Sequence, residues 1–246
     1  MKTKSKALLL TLCAVLLVAA SVLGTMAYLT STDTVENTFT VGNVAIKLDE
    51  AKANTDGSLV EGADRVKGNE YHLLPGHTYT KDPTVTVKAV SEASYVRLKV
   101  TFNNAADLIA LCTDPEFAED GPTGVENAFP LIRMVNFVEA NAPKWDGIIP
   151  DNMVETEKML ANKKYFADDK ATDTLTYYFY YKETVAAPTA DVVLPTLFDS
   201  ITVPEWVTGN QLAKLKDFQI TVVAEAIQAD GFDDADAAWA AFDAQQ

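Results

Sequence analysis

The chain has few of the residues on which catalytic and metal sites are usually built. Its 246 residues include only two histidines and two cysteines. His72 and His77 are five apart around a Pro-Gly turn, whereas zinc proteases that bind metal on one helix face place two histidines four apart beside a glutamate. The sequence also has no Gly-Xaa-Ser-Xaa-Gly elbow, P-loop or dinucleotide fingerprint. We therefore predict no catalytic residue, no metal ligand and no cofactor.

Cysteine is too scarce for a disulfide framework. Cys13 lies in an apolar run near the N-terminus, so only Cys112 would remain if that run were removed. A domain of about 220 residues has a core large enough to fold without a disulfide. A lone thiol could couple two chains, but we expect Cys112 to be buried and inert.

Positive charge is scarce as well. The chain has 35 acidic and 20 basic residues, and three of the basic ones are Lys2, Lys4 and Lys6. Without residues 1–27, the remaining 219 residues would carry 17 basic and 35 acidic side chains, a formal net charge of −18. Such a surface repels nucleic acid and anionic membranes, so we predict neither as a partner. The same acidity also serves the solubility of an exported protein.

The N-terminal region has the three parts of a secretory signal peptide. A basic start is followed by an apolar segment, Ala7 to Leu23, and by a small-residue site at Thr25-Met26-Ala27. We predict that Met1 to Ala27 forms a signal-peptide helix that is removed before Tyr28. The mature chain would then be one domain, residues 28–246.

Other forms of attachment are less consistent with the sequence. The apolar run is near the lower limit for crossing a bilayer, so an uncleaved anchor remains the alternative, and it would be the only membrane attachment. Cys13 lies in the middle of the run, whereas lipid attachment needs a cysteine at its end. Leu194-Pro195-Thr196 lies inside the domain, so covalent wall attachment is not expected.

Alternating apolar residues predict a mainly β domain. The clearest strand is Tyr95 to Phe102, in which we expect one buried face and one charged face carrying Arg97 and Lys99. Leu175 to Tyr181 has aromatic residues on both faces and should be covered on both sides or touch a neighbour. Further strands are predicted at Val35 to Leu48 with a bulge at Gly42-Asn43, Thr84 to Val90, Leu194 to Val203, and Phe218 to Ile227.

Loops and turns separate these strands. Asp49 to Asn69 is polar and turn-rich, which predicts a surface loop. Leu74 to His77 has proline then glycine at its centre, which favours a type II turn.

Residues 103–173 depart from the β pattern and predict a mixed helical insertion on the outside of the β core. Ala105 to Leu111 should form a short helix, and Asp151-Asn152 should start another. We expect Asn210 to cap a short helix ending near Lys216, and Asp233 or Asp234 to cap a terminal helix with Trp239 and Phe242 on one side. Together these elements predict a jelly-roll-like antiparallel β-sandwich.

Three stretches resemble one known family. Thr25-Met-Ala-Tyr-Leu-Thr-Ser-Thr-Asp33 behind the apolar run, with Asn37-Thr-Phe-Thr-Val-Gly-Asn-Val44, resembles the SipW-dependent signal peptides of Gram-positive bacteria. These belong to the TasA and camelysin family of biofilm matrix proteins. Leu74 to Pro83 is similar to the Pro-Gly turn of that family, and Phe218 to Gln228 with Ala238-Trp239 is similar to the tail of a clostridial-type branch. Asn103 to Asp173 carries no motif of the family.

The resemblance implies a function as well as an export route. It implies release by a SipW-type signal peptidase, secretion to the matrix or cell surface, and self-association into fibres, with or without other matrix proteins. In such fibres the freed N-terminal segment adds as a strand to the next subunit. Carried onto this chain, the donor strand is Tyr28 to about Val41. Its apolar contacts are Leu29, Val35, Phe39 and Val41.

Two other functions stay open from the sequence. Camelysin is classed as a metal-dependent endopeptidase, but the spacing of His72 and His77 does not support that activity here. A monomeric surface adhesin or binding module would instead use the insertion and the aromatic strand. The donor segment could also pair within its own subunit.

Overall fold

The computed structural model describes residues 11–15, 43–115 and 124–245. The chain divides into two units, Met1–Val41 and Gly42–Gln246. Of the first unit, only residues 11–15 are described, and they are helical and exposed. The predicted cleavage site, Ala27 and Tyr28, lies outside the described residues. Within the described ranges, no helix has the length and hydropathy needed to cross a membrane.

The second unit consists mainly of β-strands joined by short helices. The strands are β1 Ile46–Asp49, β2 Thr78–Thr80, β3 Thr84–Val87, β4 Ser94–Asn103, β5 Val135–Phe137, β6 Trp145–Asp146, β7 Phe166–Asp169, β8 Thr174–Tyr181, β9 Val192–Val193, β10 Phe198–Thr202 and β11 Ile220–Gln228. The helices are α1 Ala105–Cys112, α2 Phe129–Met134, α3 Met153–Ala161, α4 Gly209–Leu212 and α5 Ala235–Asp243. Short 3₁₀ turns occur at Glu126–Ala128 and Ala142–Lys144.

The described strands form three antiparallel sheets, which confirms a mainly β fold. Two sheets have three strands each, in the orders β1-β3-β9 and β2-β10-β5. The third has the order β11-β4-β8-β6, and β7 also pairs with β8. The described strands form open sheets rather than a barrel.

Strand β4 is the centre of the largest sheet. It pairs with β11 from Ser94 to Phe102 and with β8 from Arg97 to Asn103. Its apolar side chains at even positions are at most 1% exposed: Val96, Leu98, Val100 and Phe102. Burial of each such side chain stabilises the fold by about 1.5–3 kcal/mol. The predicted strand at Tyr95 to Phe102 is therefore confirmed, and it belongs to the one large buried cluster.

The prediction that Arg97 lies on a solvent-facing surface is wrong. Arg97 is only 2% exposed, because α5 packs over this face of the sheet. Its Nε lies 2.6 Å from Oε2 of Glu225, and its Nη2 lies 2.5 Å from Oδ1 of Asp243. The guanidinium carbon lies 4.4 Å from the ring centre of Trp239. Burial lowers the pKa of Arg97, but the bonds to the two carboxylates outweigh burial and keep it above its ordinary value.

Residues 103–173 contribute to the core, so the expected packing on its outside is wrong. This segment supplies β5 to one sheet and β6 and β7 to another. Its side chains that are at most 2% exposed include Leu108, Leu111, Leu131, Met134 and Trp145. The prolines keep each element of this segment short. Each element therefore has too few aromatic and aliphatic residues to show a repeating pattern, although these residues are buried. The predicted helices near Ala105 and Asn152 are confirmed.

The helix caps agree with expectation at one site and differ at another. Asp234 caps α5, with its Oδ1 accepting a hydrogen bond from the Ala237 N–H at 2.8 Å. The expected cap at Asn210 is wrong, because Thr208 caps α4 and forms a reciprocal capping box with Gln211. Trp239 and Phe242 of α5 lie on one side as expected, with ring centres 5.5 Å apart.

The buried position of Arg97 predicts a large effect of removing its charge. Arg97→Met leaves the Glu225 carboxylate, which is 12% exposed, without its partner. We expect the free energy of unfolding to fall by about 3 kcal/mol in urea titrations. The control is Lys158→Met, which removes an exposed pair with Glu155 and should change it by about 0.5 kcal/mol or less. If Arg97→Met and Lys158→Met lower the free energy of unfolding equally, the burial of the Arg97 ion pairs is contradicted.

Candidate functional site: the open edge of strand β11

Strand β11 has a nine-residue edge that is hydrogen-bonded to no other strand in the described part of the chain. Two hydrogen bonds at the ends of β11 show which of its residues bond to β4. The Asn103 N–H donates to the Gln219 carbonyl at 3.3 Å, and the Ala229 N–H donates to the Ala93 carbonyl at 2.7 Å. Odd-numbered residues of β11 bond to β4, so the even-numbered ones direct their backbone groups outward. Four residues have outward N–H and C=O groups without a hydrogen-bond partner among the described residues: Ile220, Val222, Ala224 and Ala226.

Other strand edges in the described part of the chain are at most four residues long, and some are partly covered. The edge of β2 is covered by Gly57, whose carbonyl accepts a hydrogen bond from Thr80 N–H at 3.0 Å. Gly57 has φ of +88°, and a Cβ there would lie 2.6 Å from the Cα of Tyr79, so only glycine fits. Val66 exchanges two backbone bonds with Glu50 at the end of β1. Strands β5, β6 and β9 have three residues or fewer.

A cleft of about 700 Å³ opens beside one end of β11. One wall is the end of β1 with residues 67–71 and Leu73, and the other wall is Phe218 to Val222. Its floor reaches three side chains that are at most 4% exposed: Tyr79, Met134 and Ile201. The cleft therefore leads from the open strand edge into the hydrophobic core, and its volume is within the range of ligand sites.

The rim of the cleft is held by ion pairs that sequence reasoning missed. Asp49 and Glu50 were expected to begin a surface loop, yet they are 6% and 4% exposed. Nε of Arg65 lies 2.7 Å from Oδ1 of Asp49, and its Nη1 lies 2.8 Å from Oδ2 of Asp82. Oε2 of Glu50 lies 2.9 Å from Nζ of Lys81. These long-range pairs tie the loop to β1 and β3 and hold one wall of the cleft in place.

Two titratable groups of the rim have shifted pKa values. Burial raises the pKa of Asp49, but hydrogen bonds from Lys47 and Arg65 outweigh burial and hold it below its ordinary value of 3.8. The pKa of Tyr71 is raised by burial and by the charge of Glu50. The Tyr71 hydroxyl donates to the Thr80 carbonyl, and its ring lies edge-on to Tyr79 with centres 5.5 Å apart. Tyr71 therefore acts as a neutral, fixed wall.

The histidines, the cysteine and the turn lie where the sequence suggested. His72 and His77 are exposed, and the Leu74–His77 turn is confirmed, with φ of +72° at Gly76. Cys112 is 0% exposed, and burial raises the pKa of its thiol to about 12. Within the described residues, no three His, Cys, Asp or Glu side chains cluster as metal ligands would. None of these residues lines the cleft.

The predicted donor residues, Leu29, Val35, Phe39 and Val41, lie outside the described residues. The described part of the second unit begins at Asn43, whose carbonyl accepts a hydrogen bond from the Glu92 N–H at 2.9 Å. The sequence does not mark β11 as an edge strand, since Ile220 to Gln228 has no proline, glycine or lysine. Such residues commonly protect edge strands from pairing with another chain.

The pKa of Asp49 predicts a pH-dependent contribution to stability. A carboxyl group whose pKa is lowered on folding stabilises the fold above its unfolded pKa, here 3.8, and loses that effect as the pH falls through the lower folded value. We expect Asp49→Asn to lower the free energy of unfolding by about 2 kcal/mol at pH 7, and by much less at pH 3. Urea titrations at both pH values measure this, with exposed Asp64→Asn as the control. If Asp49→Asn lowers the free energy of unfolding as much at pH 3 as at pH 7, the lowered pKa of Asp49 is contradicted.

The function of this edge has to be inferred from the sequence and the geometry. Comparisons of the chain with protein-family models, with curated proteins and with solved structures find no match. The features available are an unpaired nine-residue strand edge and an adjoining apolar cleft with a fixed polar rim. This combination is suited to binding an extended peptide, because main-chain bonds and a side-chain pocket are both present.

Proposed function

We propose that the chain is a secreted structural protein whose subunits assemble into extracellular matrix or biofilm fibres by β-strand addition. The donor is Tyr28 to Val41 of one subunit, and the acceptor is the β11 edge of the next. The observation that carries this proposal is the row of outward backbone groups on β11 that have no partner among the described residues. An added strand would satisfy these groups and cover the cleft.

The composition of the donor segment supports the proposal. It is rich in threonine and has Val35, Phe39 and Val41 at odd-numbered positions, which share one face of an extended strand, with Leu29 as a further apolar contact. Threonine and β-branched residues favour an extended strand. Each main-chain bond to the acceptor adds about 1 kcal/mol net, so affinity does not require a large apolar patch.

Export and architecture belong to the same proposal. The segment Met1 to Ala27 would be removed by a SipW-type signal peptidase of a Gram-positive bacterium, which exposes Tyr28 as a free N-terminus. The subunit would have a jelly-roll-like sandwich fold. This topology is supported by the antiparallel pairing of the described strands and by a buried cluster that contains side chains from all three sheets.

The cleft favours one other function, a monomeric adhesin or binding module. A volume of about 700 Å³ with an apolar floor could hold a ligand other than a strand of this chain. A camelysin-like endopeptidase has no comparable support, since His72 and His77 are exposed and lie outside the cleft. The adhesin would bind its ligand as a monomer, and this distinguishes it from a fibre subunit.

Removing the donor tests the proposal. We expect the purified chain beginning at Tyr28 to form filaments, and the same chain beginning at Gly42 to stay monomeric, because the second lacks the added strand. Electron microscopy and light scattering on the two proteins measure this. Monomers from both, stable for days at high concentration, would contradict unaided assembly and favour the adhesin.

Proline substitutions on β11 test the acceptor. Ala224→Pro removes an outward N–H that has no partner in the described residues, so the fold should survive while filaments are lost. Val223→Pro is the matched control, because it removes an N–H bonded to β4 and should lower the free energy of unfolding by about 1–3 kcal/mol. Filaments of normal yield from Ala224→Pro would show that assembly does not use this edge.

A further inference from the structure

One buried carboxylate at the rim of the cleft contacts both an amine and a carboxamide. Glu50, the residue after β1, is 4% exposed. Its Oε2 lies 2.9 Å from Nζ of Lys81, and its Oε1 accepts a hydrogen bond from Nδ2 of Asn69 at 3.0 Å. The Lys81 side chain is itself only 12% exposed. The carboxylate therefore holds a nucleophile at one oxygen and an amide nitrogen at the other.

The amide of Asn69 is oriented for nucleophilic attack at its carbon. Its Oδ1 accepts a hydrogen bond from the Ala53 N–H at 2.8 Å, and its Nδ2 also donates to the Ala51 carbonyl at 2.8 Å. Because a backbone N–H only donates and a carbonyl only accepts, these bonds fix which atom of the amide is the oxygen. The Ala53 N–H points at the atom on which negative charge develops during attack, as a donor of an oxyanion hole does. The nitrogen that must leave faces Glu50.

Backbone contacts hold the reacting groups next to one another. Glu50 exchanges two backbone hydrogen bonds with Val66, and the Tyr71 hydroxyl donates to the carbonyl of Thr80. The second contact fastens the segment that carries the amide to the segment that carries the amine. Fixing two reactants side by side converts an encounter between them into a step within one molecule, and this greatly raises the rate.

The surroundings of the Lys81 and Glu50 pair favour proton transfer and let a product leave. Passing a proton from the ammonium to the carboxylate replaces two charges by two neutral groups. Burial lowers the free-energy cost of this exchange, because charges lose more solvation than neutral groups do. All three side chains line the cleft, which opens to solvent, so a small product can diffuse away.

A second group of the same residue types lacks this geometry. Nζ of Lys170 lies 2.8 Å from Oδ2 of Asp168, and Nδ2 of Asn127 donates to the same oxygen at 3.0 Å. The Lys170 side chain is 76% exposed, so its amine stays hydrated. Lys170 therefore has neither the burial nor the two-oxygen bridge of the Glu50 site, and it provides a control.

We propose that Lys81 and Asn69 become joined by an isopeptide bond within the chain, with Glu50 as the proton carrier. The bond from Nζ of Lys81 to Cγ of Asn69 forms, and the bond from Cγ to Nδ2 breaks. Nζ begins as an ammonium and gives up two protons, which Glu50 carries to the leaving nitrogen. That nitrogen therefore departs as an ammonium ion. The reaction consumes no oxidant, reductant or other reactant.

The bond would close the chain into a loop from residue 69 to residue 81. A covalent loop restricts the unfolded chain, so the folded state gains stability relative to it. The link would also fasten the wall of the cleft to the segment after β2. This inference does not depend on fibre assembly, because the reacting groups all belong to one subunit.

Intact mass measured under denaturing conditions tests the bond in the purified, unaltered chain. We expect a mass lower than that of the sequence by about 17 Da, the loss of one ammonia. Cleavage after Lys67 and Glu70, with trypsin and a glutamate-specific protease, separates Asn69 from Lys81 along the backbone. Residues 68–70 should nevertheless stay joined to residues 71–88, since the linked Lys81 is no longer cut by trypsin.

Three variants assign the roles of the residues. Lys81→Arg keeps the charge that pairs with Glu50 but removes the amine, and Glu50→Gln removes the proton carrier, so both should keep the full mass of their sequences. Lys170→Arg is the matched control and should lose one ammonia as the unaltered chain does. The melting temperature should be about 5–10 °C lower for Lys81→Arg than for the unaltered chain, and unchanged for Lys170→Arg.

The outcomes decide the proposal even if a variant does not fold, because the linked fragment is sought in the unaltered chain. Residues 68–70 joined to residues 71–88 support it. A full mass in the unaltered chain, or separate fragments after cleavage at Glu70, would overturn it. A loss of ammonia that persists in Lys81→Arg would also overturn it, since ring closure of Asn69 onto its own backbone gives the same mass.

Discussion

Strand β11 is hydrogen-bonded to a neighbouring strand along only one of its two edges. The proposed assembly depends on this difference between the two edges. Its inner edge bonds to β4, which in turn bonds to β8, so the largest sheet is built outward from the buried residues of β4. Its outer edge is hydrogen-bonded to no strand in the described part of the chain, although β1 lies close to it. Unpaired N–H and C=O groups beside an apolar cleft favour the addition of another strand, because both backbone and side chains gain partners.

Two arginines fix the elements that border this edge. The Arg65 ion pairs with Asp49 and Asp82 hold the loop over β2 and against β1, so the loop forms the wall of the cleft opposite the start of β11. Arg97 binds α5 through Asp243 on the outer face of the sheet, at right angles to the hydrogen-bonding edge. Two buried or half-buried arginines thus fix the elements that border β11, whose outward backbone groups have no hydrogen-bond partner among the described residues.

Local patterns predicted most of the elements, and long-range contacts explain what they missed. The period of two in Tyr95 to Phe102 and the capping residues of α3 and α5 are local signals, and these elements were predicted. Arg97 was assigned to solvent because nothing within its own strand shows that α5 would pack over it. The pairing of Glu50 with Lys81 is likewise invisible to a local pattern. Thr208 was missed although Thr208 and Gln211 have capping-box spacing, and the strand order that leaves β11 at an edge cannot be read from periodicity.

Amide hydrogen exchange on the chain beginning at Tyr28 tests the central claim most directly. In the monomer, the outward amides of Val222, Ala224 and Ala226 should exchange rapidly, while the inward amides of Val223 and Glu225 should be protected by β4. In filaments, the outward amides should become protected as well. Outward amides that are already protected in the monomer, or that still exchange rapidly in filaments, would contradict the account of β11 as the assembling edge.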